Sequence, residues 1–318
     1  MRKYILFFGL LSILFVSCQS TAKKDDSKKV NGYISISGAF ALYPLTVKWV
    51  EEFKKSYPEI SIDVSAGGAG KGMTDVLSGM VNIAMFSREI SESEIEKGAF
   101  GIAVAKDAVL PVMNSKNPVK ESIYATGVSQ SNLQKIFKTG EIIAWEQLTN
   151  NKGNSNIELF TRSDACGAGA MWGEYLGINQ EDLKGIGVFG DPGMSDAIKS
   201  NKNAIGYNNL IYIYDIKTRE KVESLDVVPI DINGNGSLDA SENFYSNLDS
   251  LMKAIKTGNY PSPPARNLYF IVNGKPTDKA VITFIEWVLT EGQKYIVESG
   301  YVELTNEKIS SELKKINQ

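Results

Sequence analysis

Residues 161–169, Thr-Arg-Ser-Asp-Ala-Cys-Gly-Ala-Gly, combine a guanidinium, a carboxylate and a run of small residues. Glycine lets the backbone approach a ligand closely, and the first N–H groups of a helix have no partner inside that helix. Those N–H groups lie at the positive end of the helix dipole, where an anion is favoured. Arg162 can add two charge-assisted bonds. The segment therefore indicates an oxyanion site, although alone it also fits a glycine-rich turn with a surface ion pair.

Two earlier loops, residues 37–40 and 67–72, have the same small-residue character. Each follows a strand-like pattern and precedes a helical one, as residues 165–169 also do. The carboxyl ends of strands in parallel sheets are where ligands bind. Three such loops favour one shared anion site over three unrelated turns.

Residues 231–242 fit the spacing of a twelve-residue calcium-binding loop. Residues 227–230 before the loop have a strand pattern, so one structural Ca²⁺ is expected rather than a paired helix-loop-helix site. The alternative is a polar Asn-Gly turn. The expected ligands are Asp231, Asn233, Asn235, the Ser237 carbonyl and Glu242, with a water held near Asp239.

The composition excludes several classes of protein. A chain of 318 residues is long enough for two domains, and a net charge of −3 argues against nucleic acid as a partner. Histidine is absent, which removes the commonest general base and transition-metal ligand. An alternative hypothesis is an enzyme with Cys166 as its nucleophile, because a thiol near a helix N-terminus has a lowered pKa. Without a histidine base, Cys166 is better explained as a wall of the anion pocket.

The N-terminus has the pattern of an export signal. Residues 1–3 are basic, residues 4–16 are apolar, and Ser17-Cys18 follows. The position of Cys18 resembles a lipobox, which predicts a signal peptide over residues 1–18 and a lipidated Cys18. Ordinary secretion, with Cys18 discarded, is the alternative. Residues 19–30 are polar and are interpreted as a flexible tether.

The mature chain begins with alternating strand and helix patterns. Residues 33–37, 60–65 and 81–86 are strand-like, and helical patterns separate them. This βαβαβ order predicts an α/β fold with a mostly parallel sheet covered by helices.

Four segments resemble, in order, the anion loops of the phosphate-binding proteins of bacterial phosphate-specific ABC transport systems. Further segments outside the site match as well, and the likeness covers essentially all of the mature sequence. The anion-loop segments are 37–45, 67–72, 84–90 and 162–169, and the others are 133–137, 143–145, 204–207 and 289–295.

The resemblance implies a two-lobe type II periplasmic binding protein fold, in which each lobe is a central mixed sheet flanked by helices. Lobe 1 would comprise residues 31–113 and 266–318, and lobe 2 residues 114–265, including the calcium loop. Two crossover strands would join them, and the apolar runs 109–113 and 268–272 are candidates, although both runs also fit ordinary core strands.

The implied function is extracytoplasmic binding of inorganic phosphate and its delivery to the permease subunits of an ABC importer, without catalysis. The protein would be a monomer, lipid-anchored on the periplasmic or outer face of a bacterial membrane. Two alternatives stay open: a binding protein for another tetrahedral oxyanion (sulfate, molybdate or tungstate), or a calcium-dependent interaction module.

The implied phosphate shell combines backbone donors with a few side chains, but this chain departs from the family pattern. Cys166 and Ala168 stand where the family usually has hydroxyls, and Arg88 stands where some relatives have an aspartate that accepts the phosphate proton. Asp164 is then the remaining candidate acceptor. The expected shell is Gly38, Ala39, Phe40, Ala69, Gly70, Ser87, Arg88, Arg162, Asp164, Cys166, Gly167 and Ala168.

Overall fold

The computed structural model describes residues 30–149 and 151–318. Cys18, the predicted signal segment 1–18 and residues 19–29 of the predicted tether lie outside the described residues. Within the described part, no helix is long and apolar enough to cross a membrane.

The first part of the chain forms the predicted βαβαβ unit. Helix formation at residues 43–56 follows from Pro44 in the first turn and from apolar residues on one face, of which Trp49 and Phe53 are fully buried. The elements are β1 (Gly32–Gly38), α1 (Tyr43–Ser56), β2 (Ile60–Ala66), α2 (Ala69–Leu77), β3 (Ile83–Phe86), α3 (Glu92–Glu96) and β4 (Ala99–Asn114).

The rest of the chain builds a second α/β unit and then returns to the first. The second unit contains α4 (Lys120–Thr126), β5 (Val128–Ser129), α5 (Gln130–Gln134), β6 (Glu158–Arg162), α6 (Gly167–Tyr175), β7 (Ile186–Val188), α7 (Gly190–Ser200), β8 (Ala204–Asn209), β9 (Leu225–Val227), β10 (Ile230–Asp231) and α8 (Leu248–Thr257). The returning elements are β11 (Ala265–Asn273), α9 (Lys279–Leu289) and α10 (Asn306–Asn317).

Hydrogen bonding runs through the strands in the order β2-β1-β3-β11-β4-β8-β6-β7, with β9 also paired to β4. β1 pairs in parallel with β2 and β3, and β6 pairs in parallel with β7 and β8. The antiparallel strands β4 and β11 lie between these two parallel groups. The predicted α/β fold of two lobes, each with a mixed sheet and flanking helices, is thus observed.

The sixteen-residue strand β4 belongs to both lobes. Residues 99–108 pair with β11, whereas residues 109–113 pair with β8. The apolar run 109–113 therefore lies where the strand has already entered the second lobe.

Residues 268–272 form an ordinary core strand, which was the alternative to a crossover. These residues lie inside β11 and pair with β3 and with the first part of β4, so they belong to the first lobe. The chain returns just before them, at residues 261–264, where the Pro264 carbonyl accepts the Val109 N–H at 3.2 Å. An apolar run has the same pattern in a core strand as in a crossover, so periodicity could not separate the two.

Candidate functional site

A small cavity lies between the two lobes. The six strands of the two parallel groups end around it, because most of its lining residues end these strands or closely follow them. The lining residues are Ala39, Phe40, Ala41, Gly68, Ala69, Ser87, Arg162, Cys166, Gly167, Ala168, Asp191 and Asn209.

Arg162, the last residue of β6, has a fully buried side chain that two carboxylates hold in place. Its Nε and Nη2 donate to the two oxygens of Asp164 at 2.8 and 2.7 Å, and its Nη1 donates to Asp191 Oδ2 at 2.9 Å. Burial by itself would lower the pKa of Arg162, but Asp191 and Asp164 outweigh burial and hold that pKa above its ordinary value. The guanidinium is therefore a fixed positive charge beside the cavity.

The ion pairs continue behind Arg162 as a buried network. Asn209 donates from Nδ2 to Asp191 and accepts from Arg266, whose Nε donates to Asp107 Oδ1 at 2.8 Å. Two guanidinium groups thus share three carboxylates. Burial raises the pKa of Asp191 above its ordinary value, against the opposing effect of Arg162 and Arg266. The network thus contains one more carboxylate than guanidinium group.

Backbone donors reach the cavity from the helix N-termini. Ala69 is the first residue of α2, and Gly167 and Ala168 are the first two of α6, so their N–H groups have no acceptor inside the helices. Helix α6 packs so closely against Ser87 that a Cβ on Gly167 would lie 2.1 Å from the Ser87 carbonyl oxygen. The glycine thus brings the end of α6 against the third loop.

Cys166 is the N-cap residue of α6, and its Sγ accepts the Gly169 N–H at 3.2 Å. Burial raises the pKa of the Cys166 thiol to about 12, although Arg162 opposes this effect. The thiol therefore stays protonated at neutral pH. The hypothesis that Cys166 is a nucleophile rested on a lowered pKa, so it loses its basis.

Eight of the twelve predicted shell residues line the cavity: Ala39, Phe40, Ala69, Ser87, Arg162, Cys166, Gly167 and Ala168. Gly38, Gly70, Arg88 and Asp164 do not. The Gly38 carbonyl accepts the N–H groups of Gly67 and Gly68 and so shapes the second loop. Gly70 N–H donates to the Ala165 carbonyl at 3.1 Å, which removes it as an anion donor.

Asp164 holds other groups instead of facing the cavity. Besides its two bonds to Arg162, its Oδ1 accepts the Gly190 N–H at 3.1 Å. Its role is to orient Arg162 and to join α7 to the fourth loop, so it does not fit the expected role of proton acceptor.

Arg88 was expected in the phosphate shell, and the structure places it outside. Its Nη1 and Nη2 donate to the two oxygens of Glu94 at 2.9 and 2.6 Å, and its guanidinium lies 4.5 Å from the centre of the Phe86 ring. It lines an open groove beside the cavity. The physical reason is the capping box of α3, in which Glu94 turns back toward Ser91 and meets Arg88 there.

Four lining residues were not predicted from the sequence: Ala41, Gly68, Asp191 and Asn209. Asp191 lies in the first turn of α7, directly after β7, and Asn209 ends β8. The Gly190-Asp191-Pro192 sequence has the strand-to-helix signal that identified the other loops, so it was available to find Asp191.

The two lobes touch around the cavity. Phe40 of the first loop packs edge-to-face on Phe189 with 5.9 Å between ring centres, and its carbonyl accepts the Tyr212 hydroxyl at 3.1 Å. The bond from Gly70 to Ala165 is a further contact between the lobes. The two lobes are therefore in direct contact around the cavity.

The predicted calcium ligands form one compact loop after β10. Asp231 and Glu242 are only 4% and 5% exposed, and their carboxylates accept backbone N–H groups of the loop, including Gly234 at 2.8 Å and Asn233 at 2.9 Å. Asp239 instead accepts from the side-chain amides of Asn233 and Asn235. Among residues 30–149 and 151–318, no three His, Cys, Asp or Glu side chains are grouped to hold a metal. Calcium binding stays a prediction.

Comparison with known proteins agrees with this architecture. The model of the PBP superfamily domain matches residues 23–291. The phosphate-binding protein PstS of Bacillus subtilis is 28% identical over 288 residues, which cover 89% of this chain and 84% of the relative. PstS of Pseudomonas aeruginosa (strain UCBPP-PA14) is 25% identical over 298 residues, which cover 86% of this chain and 84% of the relative.

Solved structures share the fold. A Clostridium perfringens protein with bound phosphate has a TM-score of 0.70 at 21% identity, covering 86% of this chain and 100% of its own. An ABC-type phosphate transport receptor from Vibrio cholerae has a TM-score of 0.62 at 20% identity, covering 85% of this chain and 100% of its own. The predicted fold is confirmed. Since the family match covers most of the sequence, the chain belongs to the PBP superfamily.

Proposed function

We propose that this protein binds inorganic phosphate in the cavity between its lobes and delivers it to the permease subunits of an ABC importer. The observation that supports this most directly is the fully buried guanidinium of Arg162 beside the free helix N-termini of α2 and α6. The cavity is small and is lined largely by short side chains and backbone, as an oxyanion site requires. Relatives named phosphate-binding protein agree with this choice of ligand.

Asp191 is the group that we propose discriminates phosphate from sulfate. It lines the cavity and is almost fully buried, in a network where carboxylates outnumber guanidiniums. Phosphate keeps a proton at neutral pH and can donate it to Asp191, whereas sulfate has none and would meet a buried carboxylate directly. Burying two unbonded negative groups together is strongly unfavourable. Arg88 and Asp164 do not line the cavity, whereas Asp191 is the acidic residue of its lining.

Isothermal titration calorimetry on the purified chain tests both the binding of phosphate and the role of Asp191 in discriminating it from sulfate. Phosphate should bind with an affinity at least about 100-fold above that of sulfate, since a charge-assisted bond contributes about 1.5–3 kcal/mol and its replacement by repulsion adds to this. Asp191→Asn should reduce this ratio by about 10-fold or more. Equal binding of phosphate and sulfate by the parent would refute the choice of phosphate, and tighter binding of molybdate or tungstate would favour the other oxyanions.

The proposal includes no catalytic step. Cys166, the candidate nucleophile, is a buried thiol whose pKa is raised to about 12. Its Sγ caps helix α6, which explains its presence without chemistry. A calcium-dependent interaction module, the other alternative, would leave the buried ion pairs of Arg162 unexplained.

Export and membrane attachment belong to the same proposal. We propose that residues 1–18 are removed as a signal peptide up to Cys18, and that a lipid on Cys18 anchors the monomeric protein outside the cytoplasm. The basic start, the apolar run and the Ser17-Cys18 pair support this. A flexible tether over residues 19–30 would leave the lobes free to approach the permease.

A further inference from the structure

Seven acidic residues of the described chain are buried, and five of them are paired with lysine or arginine. Of these seven residues of the described chain, only Asp231 and Glu242 have no lysine or arginine nitrogen within 4 Å. The five pairs are Asp75 with Lys71, Asp107 with Arg266, Asp191 with Arg162, Asp226 with Lys221 and Glu312 with Lys308.

An unpaired buried carboxylate is costly, because the protein interior solvates its charge poorly. Asp231 and Glu242 do accept backbone N–H groups, which supply partial positive charge only. Both carboxylates belong to one loop, and they occupy its first and twelfth positions. This burial pattern does not depend on the sequence motif, and it leaves two buried carboxylates of one loop without a cationic side chain.

The donor set selects the type of cation. Oxygen atoms of Asn233, Asn235 and the Ser237 carbonyl accompany the two carboxylates, and the chain has no histidine. All-oxygen ligation with bidentate glutamate at the twelfth position suits Ca²⁺, which takes six to eight ligands, better than Zn²⁺ or the smaller Mg²⁺. We propose that residues 231–242 bind one Ca²⁺ through Asp231, Asn233, Asn235, the Ser237 carbonyl and Glu242.

The position of the loop indicates what the ion does. Strand β10 pairs with β5, and a Cβ on Gly127 would lie 2.9 Å from Asp231, so the loop rests directly on the second lobe. The Leu238 N–H donates to the Ala125 carbonyl at 3.2 Å. Among the described residues, the cavity lining includes none of this loop. The ion therefore stabilises the second lobe and leaves the anion site unchanged, and this inference is independent of the proposed function.

Thermal unfolding of the full-length chain tests the proposal. After treatment with chelator, addition of millimolar Ca²⁺ should raise the melting temperature by about 3–6 °C, because an ion that binds only the folded state stabilises it. Mg²⁺ at the same concentration should raise it by less than half as much. Phosphate affinity should change by less than about two-fold between chelator and calcium.

Glu242→Gln provides the decisive variant, with Glu223→Gln as a matched control on the exposed surface of the same lobe. In calcium, Glu242→Gln should lose the rise in melting temperature. In chelator it should melt no lower than the parent, since it removes an unpaired buried charge. The control should respond to calcium like the parent. Tb³⁺ added at stoichiometric concentration should give luminescence of the bound ion in the parent. This luminescence should be lost in Glu242→Gln, in agreement with the melting temperatures.

Several results would overturn the assignment. One is a parent that melts at the same temperature in chelator and in calcium. Another is an equal rise with Mg²⁺, which would contradict selectivity for calcium. A Glu242→Gln variant that keeps the calcium response would exclude the loop as its origin. A fall in phosphate affinity on chelation would contradict the purely structural role.

Discussion

Two arginines follow strands at the same edge of the fold, and their surroundings give them different roles. Arg162 is enclosed by Asp164 and Asp191 and faces the cavity, whereas Arg88 is turned outward by Glu94. Only the first has a guanidinium beside the free helix N-termini. The chemistry of a residue type thus depends on which carboxylate lies nearest to it.

Replacing Arg162 with alanine should weaken phosphate binding by about 10-fold or more, since a desolvated charge-assisted bond is lost. It also leaves Asp164 and Asp191 without their cation, so a loss of folding stability of about 3–5 kcal/mol is expected. Calorimetry and denaturant unfolding measure the two effects separately.

Arg88→Ala is the matched control, and its phosphate affinity should stay within about two-fold of the parent. If Arg162→Ala does not fold, Arg162→Lys replaces it, because lysine keeps the charge but cannot make the three bonds of the guanidinium. A ten-fold loss in Arg88→Ala would place Arg88 in the shell after all.

Helix α6 matters to the site through its N-terminus more than through its side chains. Gly167 and Ala168 present backbone N–H groups, and Gly167 rests directly on Ser87 of the other lobe. The same helix buries Trp172, which packs against Phe137 and Tyr207 in the core of the second lobe. The core packing therefore fixes where the anion donors lie.

Gly167→Ala should weaken phosphate binding by about 10-fold or more, because the new Cβ overlaps the Ser87 carbonyl oxygen and forces α6 away from the first lobe. Overpacking of this kind costs about 1–3 kcal/mol. Gly193→Ala in α7 is the control, since a Cβ there meets nothing within 4 Å. It should bind phosphate like the parent, and an equal loss in both variants would contradict the role of α6.

At the scale of the whole molecule, two parallel groups of strands point their carboxyl ends at each other. Strand β4, shared by both lobes, and the segment 261–264 join them. We expect the lobes to open and close about these two connections, with the contact of Phe40 with Phe189 present when they are closed. Such a molecule suits capture and release of a ligand.

The lipid that we propose on Cys18 would hold the molecule at the membrane, near the permease. Cys18→Ala should release the protein from the membrane fraction or leave its signal segment uncleaved. Cell fractionation and intact-mass measurement check this, with Cys166→Ala as the control that still fractionates with membranes. Normal maturation and fractionation of Cys18→Ala would mean that Cys18 is not lipidated.

The sequence alone predicted the elements from β1 to β3 and three of the loops that line the cavity, those after β1, β2 and β6. These elements are indicated by the alternation of apolar residues, by helix-opening glycines and by Pro44. Each of these signals acts over a few neighbouring residues, so the structure it favours can be predicted from a short segment of sequence. Arg162 was identified for the same reason, since the small residues that mark its loop directly follow it.

Only the tertiary structure decided which acidic residue pairs with which arginine. Arg162 meets Asp191 from 29 positions away, and Arg266 meets Asp107 from 159 positions away. Such pairs depend on which strands become neighbours, and no local pattern encodes that order. The same limit explains why the sequence did not predict the outward turn of Arg88 or decide between a crossover and a core strand at residues 268–272. Electrostatic interactions act through space, whereas periodicity and capping act along the chain.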